Sequence, residues 1–394
     1  MSLRVLSMST LFPNAARPAF GKFVANQMAA LSGREDIDLT MIAPIGMPPW
    51  PLCLREPYAS LRGVGEVAEW QGSSVHHPRF RVLPGLADSN PGRLARAILP
   101  LVKRLHAEQP FDVVDAQFFF PDGPAAAIIA RELKLPLSIK ARGSDIHLWG
   151  QRPAARAQIV AAATQAAGIL AVSEALKRDM VTLGMAGARI GVHYTGLDHS
   201  RFHPIPRDEA RAALGLELGF DKGVPLFICP GALIGIKGQA LAIEALAEIP
   251  AARLAIAGSG PDEQRLRTLA ARVGVADRVL FLGQIHPAIL VQWLCSADAM
   301  VLPSEREGLA NVWIEALACG TPLVIPDIGG AREIVRVDSA GRIAERTPLA
   351  IAAALVDLLA NPPAQADVAR NADRFTWEEN AAQLAAHFHR IAAG

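Results

Sequence analysis

Short apolar runs recur along the chain, and stretches long enough for a helix separate them. Their hydrophobicity is continuous rather than alternating, so both faces of each predicted strand are covered, as in a parallel sheet with helices on both sides. One series of runs follows another, which predicts two doubly wound α/β domains. The runs are Arg4–Ser9, Leu39–Ala43, Val113–Ala116, Leu137–Lys140 and Ile169–Val172, then Leu226–Cys229, Leu254–Ala257, Val279–Leu282, Ala299–Leu302 and Leu323–Ile325.

A proline-containing stretch separates the two series. Phe202–Arg207 reads FHPIPR and precedes a predicted helix at Asp208–Leu214, as expected of an interdomain linker. We therefore predict an N-terminal domain over 1–203 and a C-terminal domain over 204–375. The remaining residues, 376–394, have the apolar spacing of an amphipathic helix.

Composition and charge narrow the classes of protein to consider. Of 394 residues, 51% are hydrophobic and 20% are charged, and the formal net charge is +1. A folded protein is predicted, and nucleic acid is not expected as a partner because a net charge of +1 gives no overall field to attract it. The two halves differ, since positions 1–200 carry a net +5 and the remainder −4. This asymmetry predicts different partners for the two domains.

The four cysteines show neither paired spacing nor a histidine at zinc spacing, so no disulfide framework and no metal site are predicted. The first apolar run is too brief for a signal peptide. No stretch reaches the roughly 18 apolar residues of a spanning helix. We expect a cytoplasmic protein with reduced thiols at Cys53, Cys229, Cys295 and Cys319.

The most informative segment is PSEREGLANVWIEALACGTPLVIPDIGG, residues 303–330. An apolar strand ends where it begins, and a helix is predicted from about Ala310 to Cys319. Ligands of doubly wound sheets bind at this end of the strands. The helix dipole and the backbone N–H groups of Leu309, Ala310 and Asn311 suit a diphosphate, which Gly308 allows to approach closely.

Two carboxylates in this segment, Glu307 and Glu315, are eight residues apart. On a helix, that spacing corresponds to roughly 12 Å along the axis. The pair can therefore contact hydroxyl-bearing groups on either side of a bound diphosphate. The alternative is structural: Glu307 interacts with the helix dipole, and Glu315 is half of a surface ion pair.

The stretch EGLANVWIEALACGTPLVIPDIGGAREIV resembles the Glu-x7-Glu signature of the retaining family 4 glycosyltransferases. The resemblance implies a GT-B fold, in which two Rossmann-like doubly wound parallel-sheet domains face a cleft. It also implies that Glu307 contacts the donor sugar and that Glu315 contacts the nucleotide ribose. The N-terminal stretch STLFPNAARPAFGKF resembles members that build bacterial surface polysaccharides.

A second segment, PGALIGIKGQALAIEAL, resembles the family's G-R-L-x-x-x-K-G loop, whose Arg and Lys neutralise the diphosphate leaving group. Gly231, Lys237 and Gly238 occupy positions of that pattern, whereas Ala232 stands where the arginine is expected. The departure puts the strength of leaving-group stabilisation in doubt. Arg306 or Arg142 is a candidate substitute.

Two glycine-containing turns also match family segments. In IAGSGPDEQRL, the resemblance implies that Gly258 and Gly260 bring the backbone near the nucleotide, although such a sequence alone is more often a plain turn. Gly21 precedes Lys22 at the start of a predicted helix. The resemblance places Gly21 near the donor phosphate and the acceptor, while a structural reason for the glycine is equally open.

The segment KARGSDIHLWG resembles the family's H-G-x-D motif. Gly143 and Asp145 match, and Arg142 occupies the usual histidine position. The resemblance places Arg142 and Asp145 among the catalytic residues. Arg142 is expected either to hold a phosphate or an acidic sugar, or to form an ion pair with Asp145.

The segments VHYTGLDHSRFHP and FTWEEN resemble the end of the family's first domain and its closing segment. They imply that the terminal helix, 376–394, packs back on the first domain. Independently of the resemblance, residues 91–108 have an apolar stripe, with basic residues on the other side. Two interpretations stand: a solvated amphipathic helix, or a peripheral contact with an anionic membrane or a lipid-diphosphate acceptor.

The sequence therefore predicts a retaining, metal-independent hexosyltransferase without a separate cofactor. Its expected partners are a nucleotide-sugar donor and a saccharide or lipid-linked acceptor in cell-surface polysaccharide or glycolipid synthesis. The expected location is the cytoplasm, at the inner face of the membrane. Two alternatives remain open: a nucleotide-sugar 2-epimerase and a non-catalytic nucleotide-sugar binding subunit.

Overall fold

A computed structural model describes residues 2–215 and 223–394 of the chain. The chain forms two compact units. The N-terminal unit comprises Met1–Gly196 together with Trp377–Gly394, and the C-terminal unit comprises Leu197–Thr376. The first boundary thus precedes the proline-containing stretch at Phe202–Arg207 by a few residues, because Leu197 already pairs with the C-terminal unit through its N–H bond to Phe375 O.

The N-terminal unit is built on an eight-stranded sheet, parallel except for one edge strand. A separate two-stranded parallel ribbon, β3 with β6, lies outside it. The strands are Leu3–Met8 (β1), Ile37–Ile42 (β2), Ile45–Met47 (β3), Val67–Trp70 (β4), Ser73–His76 (β5), Arg79–Arg81 (β6), Val113–Ala116 (β7), Leu137–Ala141 (β8), Gly168–Ala171 (β9) and Ile190–Val192 (β10). Their order in the large sheet is β10-β9-β8-β7-β1-β2-β5-β4, with β4 antiparallel to β5.

Helices connect these strands as right-handed crossovers require in a parallel sheet. They are Lys22–Ser32 (α1), Tyr58–Leu61 (α2), Asn90–Glu108 (α3), Asp122–Leu133 (α4), Pro153–Gln165 (α5) and Glu174–Thr182 (α6), with a π-helical turn at Asp145–Trp149 and 3-10 turns at Leu52–Leu54, Ala87–Ser89 and Gly187–Arg189. Helix α3 packs on α4 and β6. Leu94 and Ile98 of its predicted apolar stripe are buried, whereas Leu101 and Leu105 are half-buried. The predicted contact of this helix with a membrane stays a prediction.

The C-terminal unit is an all-parallel six-stranded sheet with helices between its strands. The strands are Leu226–Pro230 (β11), Arg253–Ala257 (β12), Val279–Gly283 (β13), Ala299–Val301 (β14), Leu323–Ile325 (β15) and Gly341–Ile343 (β16), in the order β13-β12-β11-β14-β15-β16. The helices are Arg207–Ala213 (α7), Gln239–Ala247 (α8), Glu263–Arg272 (α9), Pro287–Ser296 (α10), Asn311–Ala318 (α11), Ala331–Ile334 (α12), Pro348–Ala360 (α13) and Gln365–Ala369 (α14), with 3-10 turns at Gly235–Lys237, Ala276–Arg278, Asp338–Ala340 and Arg370–Ala372.

The last helix, Trp377–Ala392 (α15), belongs to the N-terminal unit. Leu384 and Phe388 are fully buried in one core cluster with Val5 and Val24 of β1 and α1. The terminal helix therefore packs on the N-terminal unit, as the sequence predicts. Burying two such side chains stabilises the unit by about 4 kcal/mol.

The cysteine thiols of the described residues are free; three are buried, and Cys53 is half-buried. Among residues 2–215 and 223–394, no helix combines the length and hydropathy that crossing a bilayer requires.

Candidate active site

Two loops at the carboxyl ends of neighbouring strands bring a cation and an anion together in the C-terminal unit. Lys237 ends the 3-10 turn after β11, and Glu307 lies in the loop after β14. Lys237 Nζ is 2.5 Å from Glu307 Oε1, and their side chains are only 23% and 12% exposed. The strand order of the sheet reverses between β11 and β14. Doubly wound sheets bind their ligands at the carboxyl ends of the strands at such a reversal. Both residues had been predicted as site residues; their contact had not.

Two glycines pack closely against the backbone of the loop after β14, which carries Glu307. A Cβ on Gly238, whose φ is +74°, would lie 2.1 Å from Pro303 O; one on Gly329, whose φ is +47°, would lie 2.1 Å from Glu307 O. Such distances are far below van der Waals contact, so only glycine fits at either position. The N–H of Gly330 also bonds to Gly308 O at 2.9 Å. The position of Glu307 therefore depends on the backbone beneath it.

The loops after β11 and β12 touch backbone to backbone. A Cβ on Gly258 would lie 2.0 Å from Gly231 O, and one on Gly260 would lie 2.4 Å from Leu233 O. These glycines thus have a structural reason to be there, in close packing between two strand-end loops. Their approach to a nucleotide stays a prediction.

Helix α11 begins at Asn311, with Ala310 as its N-cap in an extended conformation. The predicted start near Ala310 is within one residue, and Leu309 lies in the preceding loop. The helix presents its amino end beside the Glu307 loop, where backbone N–H groups and the dipole favour an anion. Glu315 is half-buried on the same helix.

That Arg306 or Arg142 substitutes for the missing arginine stays a prediction. Arg306 is 47% exposed and lies 3.7 Å from Glu305, a weak surface pair. Arg142 belongs to the N-terminal unit. At Ala232 the structure uses the backbone, since Ala232 O accepts a hydrogen bond from Gln239 Nε2 at 2.9 Å. Lys237 is the cation that the structure places in this loop.

One buried polar group in the same loop was missed by the sequence reasoning. Ser304 is fully buried, and its Oγ has no hydrogen-bond partner within the described residues. A buried hydroxyl without a partner costs stability. Only its place between the strand end and Glu307 could have drawn attention to it.

In the N-terminal unit, the Arg142–Asp145 segment forms no ion pair between these two side chains. Asp145 is fully buried, and its carboxylate accepts hydrogen bonds from the backbone N–H groups of Phe119, Arg142 and Gly143 at 2.8, 3.1 and 2.8 Å. The expectation of an Arg142–Asp145 pair is therefore wrong, because the carboxylate is already used to shape the loop after β8. A catalytic role of Asp145 stays a prediction.

Arg142 instead belongs to a buried polar cluster. Its guanidinium donates to Gln117 O at 3.1 Å and to Gln117 Oε1 at 2.5 Å. Burial lowers the pKa of Arg142 to about 10. The predicted phosphate or acidic-sugar contact of Arg142 stays a prediction.

Lys140 is the centre of this cluster and was not singled out by the sequence reasoning. It is fully buried and donates to Gln27 Oε1 at 2.9 Å, while its Nζ lies 2.8 Å from His193 Nδ1. Burial lowers the pKa of Lys140 well below its usual range. His193 Nε2 is 2.9 Å from Asn380 O, so the cluster ties β8 to α15. The sequence offered one signal of this cluster, namely a lysine within an otherwise apolar predicted strand.

Asp122, at the start of α4, gives a pH-dependence prediction. It is fully buried, and although Oδ2 accepts the Thr10 N–H at 2.8 Å, burial raises the pKa of the carboxyl to about 7. The folded state therefore holds a proton that the unfolded state releases between about pH 4 and pH 7. We expect the free energy of unfolding to fall as pH rises through this window, by at most about 1.4 kcal/mol per pH unit from this group.

The measurement is urea unfolding across that pH range for the wild type, Asp122→Asn and the exposed control Asp88→Asn. Asp122→Asn is expected to flatten the slope, and the control is expected to keep it. Equal slopes in wild type and Asp122→Asn would show that the Asp122 carboxyl does not hold the proton.

Gly21 also has a structural explanation. A Cβ there would lie 2.4 Å from the Leu11 carbonyl carbon, and its φ is +65°. Its predicted contact with donor or acceptor stays a prediction. Within residues 2–215 and 223–394, no three His, Cys, Asp or Glu side chains group closely enough to hold a metal ion.

Comparison with known proteins assigns both units. The model of Glycosyltransferase Family 4 matches residues 32–201, and that of Glycosyl transferases group 1 matches residues 215–375. Together these two matches span most of the chain.

Individual relatives agree with this assignment. The glycosyltransferase TuaC of Bacillus subtilis, assigned to teichuronic acid biosynthesis, is 28% identical over 84% of this chain and 83% of its own. A GDP-mannose-dependent α-(1-6)-phosphatidylinositol monomannoside mannosyltransferase of Mycolicibacterium smegmatis is 32% identical over 60% of this chain and 66% of its own.

Among solved structures, Anabaena HepE in complex with UDP is similar in fold. The TM-score is 0.74 at 21% identity, and the match covers 99% of this chain and 100% of that one. At that identity the similarity shows the fold, two Rossmann-like parallel-sheet domains of the GT-B type. The two family models, matching residues 32–201 and 215–375, show that this chain is a family 4 glycosyltransferase.

Proposed function

We propose that this protein is a retaining glycosyltransferase that moves a sugar from a nucleoside-diphosphate sugar to a saccharide or lipid-linked acceptor. The observation that carries the proposal is the half-buried Lys237–Glu307 pair at the carboxyl ends of β11 and β14. A cation and a carboxylate held at this edge, beside the amino end of α11, suit a ligand with a diphosphate and a sugar. The donor-bound states of HepE, with UDP and with UDP-glucose, support a donor of this class.

The breaking bond joins the sugar C1 to a phosphate oxygen, so negative charge grows on the departing diphosphate. Lys237 and the amino end of α11 are placed to stabilise that charge. Because these groups supply positive charge, we propose that the reaction needs no metal ion and no separate cofactor. The expected result is unchanged turnover in excess EDTA.

Glu307 is proposed to orient the sugar through its hydroxyl groups, and Glu315 to hold the ribose. The acceptor oxygen then attacks C1 from the face that the phosphate leaves. The acceptor proton passes to the leaving phosphate oxygen, so no protein base is required. This route keeps the anomeric configuration, and an NMR spectrum of the product showing inversion would overturn it.

The biological setting is proposed from the relatives. TuaC is named for teichuronic acid biosynthesis, and the mycobacterial relative for a phosphatidylinositol mannoside. We propose that the chain acts in cell-surface polysaccharide or glycolipid synthesis, in the cytoplasm at the inner face of the membrane.

Donor binding tests the site. Thermal-shift screening of nucleoside diphosphates identifies the base, because a ligand that binds only the folded state raises its melting temperature. Titration with the selected nucleoside diphosphate should then show a Kd about tenfold to hundredfold weaker for Glu315→Ala, the expected loss for a hydrogen bond to a charged group.

Glu345→Ala, which removes an exposed carboxylate from the same unit, is the control and should bind like the wild type. An unchanged Kd for Glu315→Ala would contradict the assignment of Glu315. Incubation with donor alone must leave the sugar nucleotide unaltered, since a new sugar nucleotide would indicate an epimerase instead.

A further inference from the structure

The ribbon of β3 and β6 sets the direction of two surface segments in the N-terminal unit. The strands are parallel, with Ile45 opposite Arg79 and Met47 opposite Arg81. The chain therefore leaves both strands at the same edge. From β3 it continues into residues 48–57, which hold Trp50 and the 3-10 turn Leu52–Leu54.

Large apolar side chains on this segment are exposed. Trp50 is 77% exposed, more than any other large hydrophobic side chain of the described residues, and Leu54 is 49% exposed. Phe20 is 40% exposed, and the Arg17 guanidinium, 5.8 Å from the Phe20 ring, donates to Pro57 O at the end of this segment at 3.2 Å. Single exposed apolar residues are ordinary, but a tryptophan and a leucine exposed within one short segment call for an explanation.

The segment has a folded base. Leu61 of α2 is buried in a small cluster with Ile45 and Val64, and Tyr58 packs against it. Helix α2 also contacts the 3-10 turn Leu52–Leu54. The structure therefore holds Trp50 and Leu54 outward on a packed support.

Arg55 lies on this segment, Arg81 lies on β6 of the ribbon, and Arg17 contacts the segment through Pro57 O. Arg55 and Arg81 are exposed, and Arg17 is half-buried beside Phe20. Glu56, the acidic residue of the segment, accepts a hydrogen bond from Ser60 Oγ at 3.0 Å. We call Phe20, Trp50, Leu54, Arg17, Arg55 and Arg81 the Trp50 surface. Exposed Trp and Leu interleaved with arginines match the interfacial region of an anionic bilayer, where apolar side chains enter below the headgroups and cations meet phosphates.

A cavity adjoins this surface. It encloses about 230 Å³ and is lined in part by Thr10, Arg17, Phe20 and Tyr58. It thus shares Arg17 and Phe20 with the surface, at the carboxyl ends of β1 and β2, where a doubly wound unit takes its ligand. An acceptor embedded in a bilayer would reach this cavity without leaving the lipid headgroups.

We propose that the Trp50 surface docks the N-terminal unit on an anionic lipid bilayer. The contact uses the segment after β3 and does not depend on α3. The choice of a lipid-linked acceptor rests on the proposed function, whereas the docking itself does not. Lipid binding and sugar transfer can therefore be tested separately.

Sedimentation with vesicles tests the docking, using the full chain and vesicles of phosphatidylcholine with or without about one third phosphatidylglycerol. Wild type should sediment with the anionic vesicles, and Trp50→Ser with Leu54→Ser should lower the partition coefficient at least about tenfold. The matched control is Leu349→Ser with Val337→Ser, two side chains of the C-terminal unit that are 68% and 53% exposed. The control should bind like the wild type.

A charge variant keeps the test valid if the apolar variant folds poorly. Arg55→Ala with Arg81→Ala should weaken binding about 25-fold, since each cation near an anionic surface contributes a factor of about five. Added salt should weaken wild-type binding in the same direction.

Wild type that fails to sediment with anionic vesicles overturns the proposal, as does equal sedimentation of wild type and the Trp50–Leu54 variant. Transfer to a water-soluble acceptor and binding of nucleoside diphosphate should be unchanged in that variant. If the wild type binds lipid but shows no sugar transfer, that result would contradict the proposed function and leave the docking proposal intact.

Discussion

Glu307→Gln is expected to lower kcat/KM for sugar transfer by about 10²–10³-fold, the range for loss of one oriented group that stabilises a developing charge. The substitution keeps the size of the side chain and removes its charge. It therefore removes the ion pair in which Lys237 Nζ lies 2.5 Å from Glu307 Oε1. It also replaces the charged acceptor proposed for the sugar hydroxyls with a neutral amide. Affinity for the nucleoside diphosphate should stay close to that of the wild type, because the proposed contact is with the sugar.

The measurement pairs initial-rate kinetics with isothermal titration of the nucleoside diphosphate. Glu305→Gln is the control, since Glu305 lies two residues earlier in the same loop and its side chain is 53% exposed. The control should keep wild-type kinetics. Wild-type turnover in Glu307→Gln would remove this residue from the active site.

Lys237→Met should lower transfer to a similar extent and also weaken nucleoside-diphosphate binding. The double variant Glu307→Gln with Lys237→Met should lose less than the two single losses combined, because the two side chains contact each other.

Gly329→Ala is the second substitution with a large expected effect. The added methyl would lie 2.1 Å from Glu307 O, so the loop that carries Glu307 must shift. Misplacing a reacting group by about 1 Å costs about 100-fold in rate. We expect a loss of that size in kcat/KM, although Gly329 itself contributes no side chain.

Gly274→Ala separates the geometric effect from the general cost of a side chain at positive φ. Gly274 has a φ of +74° in the same unit, and a Cβ added there would meet nothing within 4 Å among the described residues. Gly274→Ala should lower the free energy of unfolding by about 1 kcal/mol, the cost of a side chain at positive φ. Gly329→Ala should lower it further because of the backbone clash, and only Gly329→Ala should slow transfer. Equal kinetics in the two variants would show that Gly329 does not position Glu307.

Much of the fold was predictable because continuous apolar runs are a strong signal of buried parallel strands. The predicted strands at Val113–Ala116 and Leu323–Ile325 have the observed bounds, and the others differ by one or two residues. The missed strands are short, and most lie at sheet edges or in the small ribbon. For example, Val67–Trp70 alternates exposed and half-buried positions, and Arg79–Arg81 has a single apolar residue.

The site was predicted in part because its residues lie in short segments that match a family signature. Both Lys237 and Glu307 were identified this way, yet a sequence does not state that residues 70 positions apart are in contact. The Arg142–Asp145 ion pair, one of two expectations for Arg142, is absent, and the Asp145 carboxylate accepts hydrogen bonds from four backbone N–H groups instead. The sequence could not predict the buried partners of Lys140 either, because Gln27 and His193 are 113 and 53 residues away from it along the chain.

The return of α15 to the N-terminal unit bears on the order in which the protein folds during synthesis. The ribosome completes residues 197–376 before residues 377–394 emerge, so the C-terminal unit has all of its chain first. Until α15 has been synthesised, the core cluster around Val5 and Val24 lacks Leu384 and Phe388. His193 also lacks its hydrogen-bond partner, the carbonyl of Asn380. Although domains made first usually fold first, here the half that is translated first is the last to close its core.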